Sequence, residues 1–172
     1  MAGKERTIQA KSITLALKRY EGPLVRYATR LTGDLESARD VVQDTFLKLC
    51  AAGPFPEQNH LAAWLFTVCR NRALDVVRRE RRTRPVEVAG IETLESPDCS
   101  PSAVLEKKEI GRRVLQLLDT LPWNQQEVLR LKFQEELSYR EISQVTGNSI
   151  SNVGFLIHTG LKTIRENLKD GT

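Results

Sequence analysis

SYREISQVTGNSISNVGFLIHTGLKTIRENL, residues 138–168, holds the start signal of one helix, its stop signal and the start of a second. Ser138-x-x-Glu141 is a capping box, in which hydroxyl and carboxylate each satisfy an amide that the first helical turn leaves unbonded. Gly147 supplies the left-handed position at which helices commonly end. Asn148 or Ser149 caps the second helix. The apolar stripe of that helix is Ile150, Val153, Ile157, Leu161, Ile164 and Leu168, spaced 3, 4, 4, 3 and 4. A short helix, a glycine turn and a longer helix make a helix-turn-helix, whose second member normally lies in the major groove of DNA. Yet this second helix carries no Lys or Arg before Lys162.

Helical periodicity extends over most of the chain, with no sustained alternation of period two and no internal repeat. Asp34 is the expected N-cap of a helix whose buried face is Ala38, Val41, Val42, Thr45, Phe46 and Leu49. Upstream, Ile13 to Leu31 is helical, with Glu21-Gly22-Pro23 expected to kink or break it. Gly53, Pro54 and Pro56 end the Asp34 helix, and another runs from about His60 to Arg82. Residues 83–101 contain three prolines and little periodicity, the character of a linker. Periodicity resumes at Val104 and is interrupted at Leu121-Pro122-Trp123. The expected fold is therefore all-α, two small helical domains at 1–84 and 104–172 joined by a flexible acidic linker, 85–103.

Charge follows the same division. Residues 1–84 hold 16 Lys/Arg against 9 Asp/Glu; residues 85–104 hold four acids and no base; residues 105–172 hold 10 bases against 9 acids. The first domain is the basic one. Cys50, Cys69 and Cys99 are odd in number and form no C-x-x-C pair, and His60 and His158 are far apart. No metal or other cofactor is expected. Glu36, Asp40 and Asp44 recur every four residues but lack the partner helix of a carboxylate-metal site. No nucleophile triad or phosphate loop appears, so an enzyme is not expected. No apolar run approaches the roughly 18 residues of a membrane span, and MAGKERTIQAKS has no signal-peptide core. The expected location is cytoplasmic.

YEGPLVRYATRLTGDLESARDVVQDTFLKL followed by AAWLFTVCRNRALDVVRRERR resembles region 2 of the extracytoplasmic-function (ECF) sigma factors, small members of the sigma-70 family. LPWNQQEVLRLKFQEELSYREISQVTGNSISNVGFLIHTGLKTIR resembles their region 4. The resemblance implies a bacterial transcription initiation factor that binds core RNA polymerase, directs it to promoters and assists melting. Region 2 would serve the minus-10 element and region 4 the minus-35 element. Asp40, Gln43, Asp44 and Leu47 match the block that docks on the clamp helices of the largest polymerase subunit. A leucine among polar neighbours suits an oriented protein contact.

The loop around Phe55 matches the place where the family captures a flipped minus-10 base, with Phe55 and Asn59 lining it; such capture uses stacking surfaces. Thr67, Asn71 and Arg72 match promoter-facing positions, and Asn71 has the amide for an adenine or a phosphate. Trp64 reads as a core residue, with a base-stacking wedge as the other reading. Arg78, Arg79, Arg81, Arg82 and Arg84 suit phosphate contact, Arg78 and Arg79 foremost. The acidic linker either mimics nucleic acid in the polymerase channel or keeps the tether extended.

On the second helix of the opening stretch, Ser151, Asn152, Phe155, Thr159 and Lys162 lie opposite or nearly opposite the stripe. Where the family carries several bases, this chain has Gly154, Leu156 and Thr159. Two readings remain. Phe155 packs on thymine methyls while Asn152 reads adenine, Ser149 and the helix amides hold a phosphate, and Lys132 and Arg140 supply charge. Alternatively Phe155 and Leu156 form a protein contact, with an inhibitory anti-sigma factor or within the chain. Rival functions are a DNA-binding regulator acting without polymerase and a polymerase-binding regulator without sigma activity.

Overall fold

The computed structural model describes residues 2–52, 58–83 and 103–170, and all their regular elements are α-helices. They are α1 (Ala2–Thr32), α2 (Leu35–Ala51), α3 (Gln58–Thr83), α4 (Ala103–Asp119), α5 (Trp123–Phe133), α6 (Tyr139–Thr146) and α7 (Ile150–Asp170). Two compact units result, one built from α1 to α3 and one from α4 to α7. The bulk of the linker expected at 85–103 lies outside the described residues.

In the first unit, the six apolar-face residues of α2 are all buried. They meet Leu24, Tyr27 and Ala28 of α1 and Leu65, Phe66, Cys69 and Ala73 of α3, all 5% exposed or less, in a three-helix core. Phe66 is fully buried and meets the Tyr27 ring edge-on, centroids 5.3 Å apart. Burial of such a side chain stabilises the unit by about 2–3 kcal/mol. Thr45 enters this core by donating its hydroxyl to the Val41 carbonyl at 2.8 Å, which removes the cost of an unbonded polar group.

The expected break at Glu21-Gly22-Pro23 does not occur: α1 runs through Pro23. Proline removes one amide and crowds the carbonyl four residues back, at a cost of about 3 kcal/mol. Ala16 before it and Leu24, Tyr27 and Ala28 after it are buried on one continuous face, and that packing offsets the loss. The helix instead ends at Gly33, whose φ of 75° is the left-handed conformation and whose amide donates to the Thr29 carbonyl at 2.8 Å.

Asp34 caps α2, its carboxylate accepting from the Ser37 amide at 2.7 Å. That bond, with further amides of the first turn, holds the carboxyl below its ordinary value of 3.8. A depressed folded-state pKa gives stability that is present above the unfolded value and is lost as pH falls through the folded one. Thermal melting between about pH 6 and pH 2 should therefore show a smaller acid-side loss in Asp34→Asn, which keeps an acceptor but does not titrate, than in the parent chain.

The second unit buries Leu118, Leu121, Val128, Leu129, Leu131, Leu137, Ile142, Val145, Val153, Leu156, Ile157 and Ile164. The expected interruption at Leu121-Pro122-Trp123 separates α4 from α5, and the Gln126 amide nitrogen closes it by donating to the carbonyls of Asp119 and Leu121. Arg130 is 5% exposed and its guanidinium donates to the Asp119 carboxylate. Burial lowers the Arg130 pKa while the Asp119 charge opposes the shift. Gly160 of α7 faces α5 at close range: a Cβ there would stand 2.7 Å from Leu129 Cδ1.

Candidate functional site

The turn between α6 and α7 is bonded throughout. Ser138 and Glu141 form the reciprocal capping box at the start of α6, with the carboxylate 2.8 Å from the Ser138 amide. Gly147 ends α6 at φ 75°, and its amide donates to the Ser143 carbonyl. The Ser143 hydroxyl reaches across the turn to the Asn148 carbonyl at 2.6 Å. Of the two possible caps for α7, Ser149 fills the place, its hydroxyl accepting from the Asn152 amide at 3.2 Å, while Asn148 accepts from the Asn152 side chain at 3.0 Å. A turn fixed by this many bonds aims α7 without help from a ligand.

The outward face of α7 is Ser151, Asn152 and Phe155, all exposed, then half-buried Thr159 and exposed Lys162. Phe155 is 64% exposed. Lys162 lies 3.9 Å from Glu166, an exposed pair of little consequence. The core face is rotated from the expected stripe: Ile150 is 52% exposed, while Leu156 is 5% exposed and Gly160 is buried. Ile150 is in the first turn, and the packed surface falls along Val153, Leu156, Ile157, Gly160 and Ile164. Leu156 is therefore a core residue and cannot form the partner contact expected of it, whereas Phe155 is free to make one.

Flanking this face, Lys132 is less available than the sequence suggests. Its ammonium donates to the Leu137 carbonyl at 3.2 Å and stands 5.6 Å above the Tyr139 ring. That ring lies against α7 at Gly154, where a Cβ would be 3.6 Å from Tyr139 Cε2. A cation, an aromatic ring and a bare stretch of helix backbone are thus stacked beside Phe155's helix, an arrangement visible only once α5, α6 and α7 are assembled. Arg140 is exposed on α6.

In the first unit, Asp40, Gln43 and Leu47 are exposed on α2, Leu47 by 58%, and Asp44 is half-buried. A shallow groove of about 460 Å³ between α2 and α3 is lined by Asp44, Leu47, Lys48, Ala51, Arg72 and Asp75. Arg72 Nε donates to Asp44 Oδ2 at 2.7 Å, a link between residues that the sequence assigns to different tasks. On α3, Thr67 is half-buried and its hydroxyl donates to the Ala63 carbonyl at 2.7 Å. Asn71 and the cations Arg78, Arg79, Arg81 and Arg82 are exposed. Arg78 approaches Asp75 at 3.5 Å. Trp64 is half-buried, a position that leaves part of its ring outside the core. Phe55 and Arg84 lie outside the described residues, as does the side chain of Asn59.

Among the described residues no helix is long and apolar enough to cross a membrane. The family described as Sigma-70 region 2 matches residues 16–83, and that described as Sigma-70, region 4 matches residues 111–164. A three-helix unit with a basic helix, and a helix-turn-helix unit, together define a sigma-70-type transcription initiation factor.

The chain belongs to the ECF sigma factors. It is 31% identical to the ECF RNA polymerase sigma factor SigL of Mycobacterium tuberculosis over 86% of this chain and 83% of that one. It is 28% identical to the RNA polymerase sigma factor YlaC of Bacillus subtilis over 91% of this chain and 92% of the other. Among solved structures, the sigma factor RpoE of Bartonella quintana, in complex with the anti-sigma factor NepR, superposes with a TM-score of 0.62 over 92% of this chain and 98% of that one, at 21% identity. The chain is a transcription initiation factor whose partners are core RNA polymerase and promoter DNA, in a family that works without catalysis of its own.

Proposed function

We propose that residues 1–84 dock on the clamp helices of core polymerase and open the minus-10 element, that 85–103 tether the two parts, and that 104–172 read the minus-35 element. In this reading Asp40, Gln43, Asp44 and Leu47 are the docking set. Leu47 carries it: a leucine 58% exposed at the rim of a groove whose other walls include Asp44, Lys48, Arg72 and Asp75 offers an apolar contact flanked by charges that can orient a protein partner. Asn71, Arg78 and Arg79, with Thr67 beside them, face the promoter, and Phe55 and Asn59 receive the flipped base.

For the second unit, groove reading is favoured over protein contact because Leu156 is buried and Phe155 shares its exposed face with Ser151 and Asn152. Phenylalanine against thymine methyls and Asn152 against adenine give an A·T-rich minus-35 preference, with Ser149 at the helix N-terminus and Arg140 on phosphates. Ser151, Thr159 and Lys162 complete the face. Binding through so few cations should fall only weakly with added salt. The factor works in the cytoplasm, and an anti-sigma factor, such as the one bound to the Bartonella quintana sigma factor RpoE, holds it inactive.

The test is in vitro transcription with bacterial core polymerase and fragmented genomic DNA from the source organism, sequencing RNA 5′ ends with and without the protein. New starts sharing two upstream elements at fixed spacing support the reading. Binding to core without new starts contradicts it in favour of a polymerase-binding regulator. Phe155→Ala should then lower discrimination at the minus-35 element about tenfold, the worth of one good base contact, with core binding unchanged. Transcription that is retained while binding of a protein inhibitor is lost would assign Phe155 to that inhibitor instead.

A further inference from the structure

Arg72 sits between Asn71 and the Arg78 run in sequence, and its position suggests promoter contact. Its geometry is different. At 100° per residue, Thr67, Asn71 and Arg78 fall within about 40° of one another around α3, whereas Arg72 is displaced from Thr67 by about 140°. That rotation turns it toward α2. There its Nε makes the 2.7 Å bond to Asp44 Oδ2, and the two side chains are 28% and 39% exposed. A charge-assisted bond of this length fixes both partners, since guanidinium and carboxylate are each restricted in direction. Arg72 also lines the groove that Leu47 borders, together with Lys48 and Asp75. A second carboxylate, Asp75, shares the groove and has Arg78 at 3.5 Å, so removal of Arg72 takes from Asp44 the cation bonded to it.

We infer that Arg72 is a positioning residue for polymerase docking: it holds the Asp44 carboxylate in the orientation that the polymerase surface reads, and it is not a promoter contact. The inference rests on the docking role proposed for α2. In consequence the docking surface includes a residue of α3, and helix α3 divides lengthwise into a polymerase side with Arg72 and a promoter side with Asn71 and Arg78. Pre-fixing a carboxylate before association removes the cost of ordering it at the interface, which is how Arg72 governs affinity through Asp44.

The experiment measures core-polymerase affinity of the full chain by fluorescence titration, and separately open-complex yield and minus-10 discrimination at saturating core. Arg72→Ala and Asp44→Asn should each weaken core affinity by about tenfold, and the double variant should be no weaker than either, because both remove one unit. Arg72→Lys should fall between, since an ammonium keeps the charge and loses the directed Nε bond. At saturating core, Arg72→Ala should open promoters with unchanged discrimination. The reversed pair, Asp44→Arg with Arg72→Asp, should recover the melting temperature without recovering core affinity. Unchanged core affinity with poor opening in Arg72→Ala would return Arg72 to the promoter side, and recovery of affinity by the reversed pair would reduce it to a helix-helix brace; either overturns the inference. Leu47→Ala serves as the reference. If it also leaves core affinity intact, the docking role of α2 fails; if it weakens affinity while Arg72→Ala does not, only the role of Arg72 fails.

Discussion

Asp119→Ala should destabilise the second unit by about 2–3 kcal/mol, a larger effect than its place on the surface end of α4 suggests. The cost comes from the residue left behind. Arg130 is 5% exposed and its Nε has no hydrogen-bond partner, so its guanidinium depends on Asp119 for the compensation that burial demands. A buried charge stripped of its partner is penalised more than the intact pair is rewarded. Hence Arg130→Met, which removes the charge and keeps the volume, should cost much less than Asp119→Ala. Urea unfolding followed through Trp123 in a Trp64→Phe background reads the second unit alone, because each unit contains one tryptophan. Equal losses from both substitutions would show that the pair is held by packing and that its charge is incidental.

Gly160→Val should destabilise the same unit by about 3 kcal/mol, and here the effect comes from too much volume. The added Cβ would meet Leu129 Cδ1 at 2.7 Å, with Leu121 Cδ1 at 3.4 Å and Gln125 Cβ at 3.5 Å behind it. Leu129 is 3% exposed and Leu121 5%, so neither can swing into solvent, and α7 must lift from α5. A helix that lifts by a few tenths of an ångström also moves Phe155, five residues earlier on α7. Minus-35 discrimination should therefore decline in Gly160→Val at temperatures where the unit remains folded. Pairing it with Leu129→Ala vacates the space and should recover part of both losses; a double variant that is simply worse than either would place the strain elsewhere.

The local signals were the legible ones. Asp34, Ser138, Glu141 and Gly147 act on amides and carbonyls within four residues of themselves, so sequence spacing alone locates them. The six buried residues of α2 followed from periodicity because that helix has one apolar face and meets its neighbours along its full length. On α7 the same rule misplaced the face. Periodicity finds an apolar stripe, but which edge of it is covered depends on where α5 ends and where a glycine permits close approach, so Leu156 and Gly160 came inside and Ile150 stayed out. The absence of a break at Pro23 has a related reason: propensity is local, and the α1 packing that overrides it is not. Of the candidate site, the exposed faces of α2 and α7 could be drawn on a helical wheel. The Arg72–Asp44 bond spans 28 residues between two helices, and the Lys132–Tyr139–Gly154 stack draws on three; neither has a sequence period to betray it.

The two described cysteines differ in chemistry as sharply as in place. Burial pushes the Cys69 thiol up to about 12, so near pH 8 only about one molecule in ten thousand would carry the thiolate that alkylating reagents require. Cys50 is exposed on α2, next in sequence to Ala51 of the α2–α3 groove. Modification of Cys50 thus proceeds on the native fold, whereas Cys69 reacts only in the fraction of time that α2 and α3 have parted. One residue marks the folded surface and the other keeps time on the opening of the first unit, so the alkylation rate of Cys69, taken against that of Cys50, yields the free energy of that opening without denaturant.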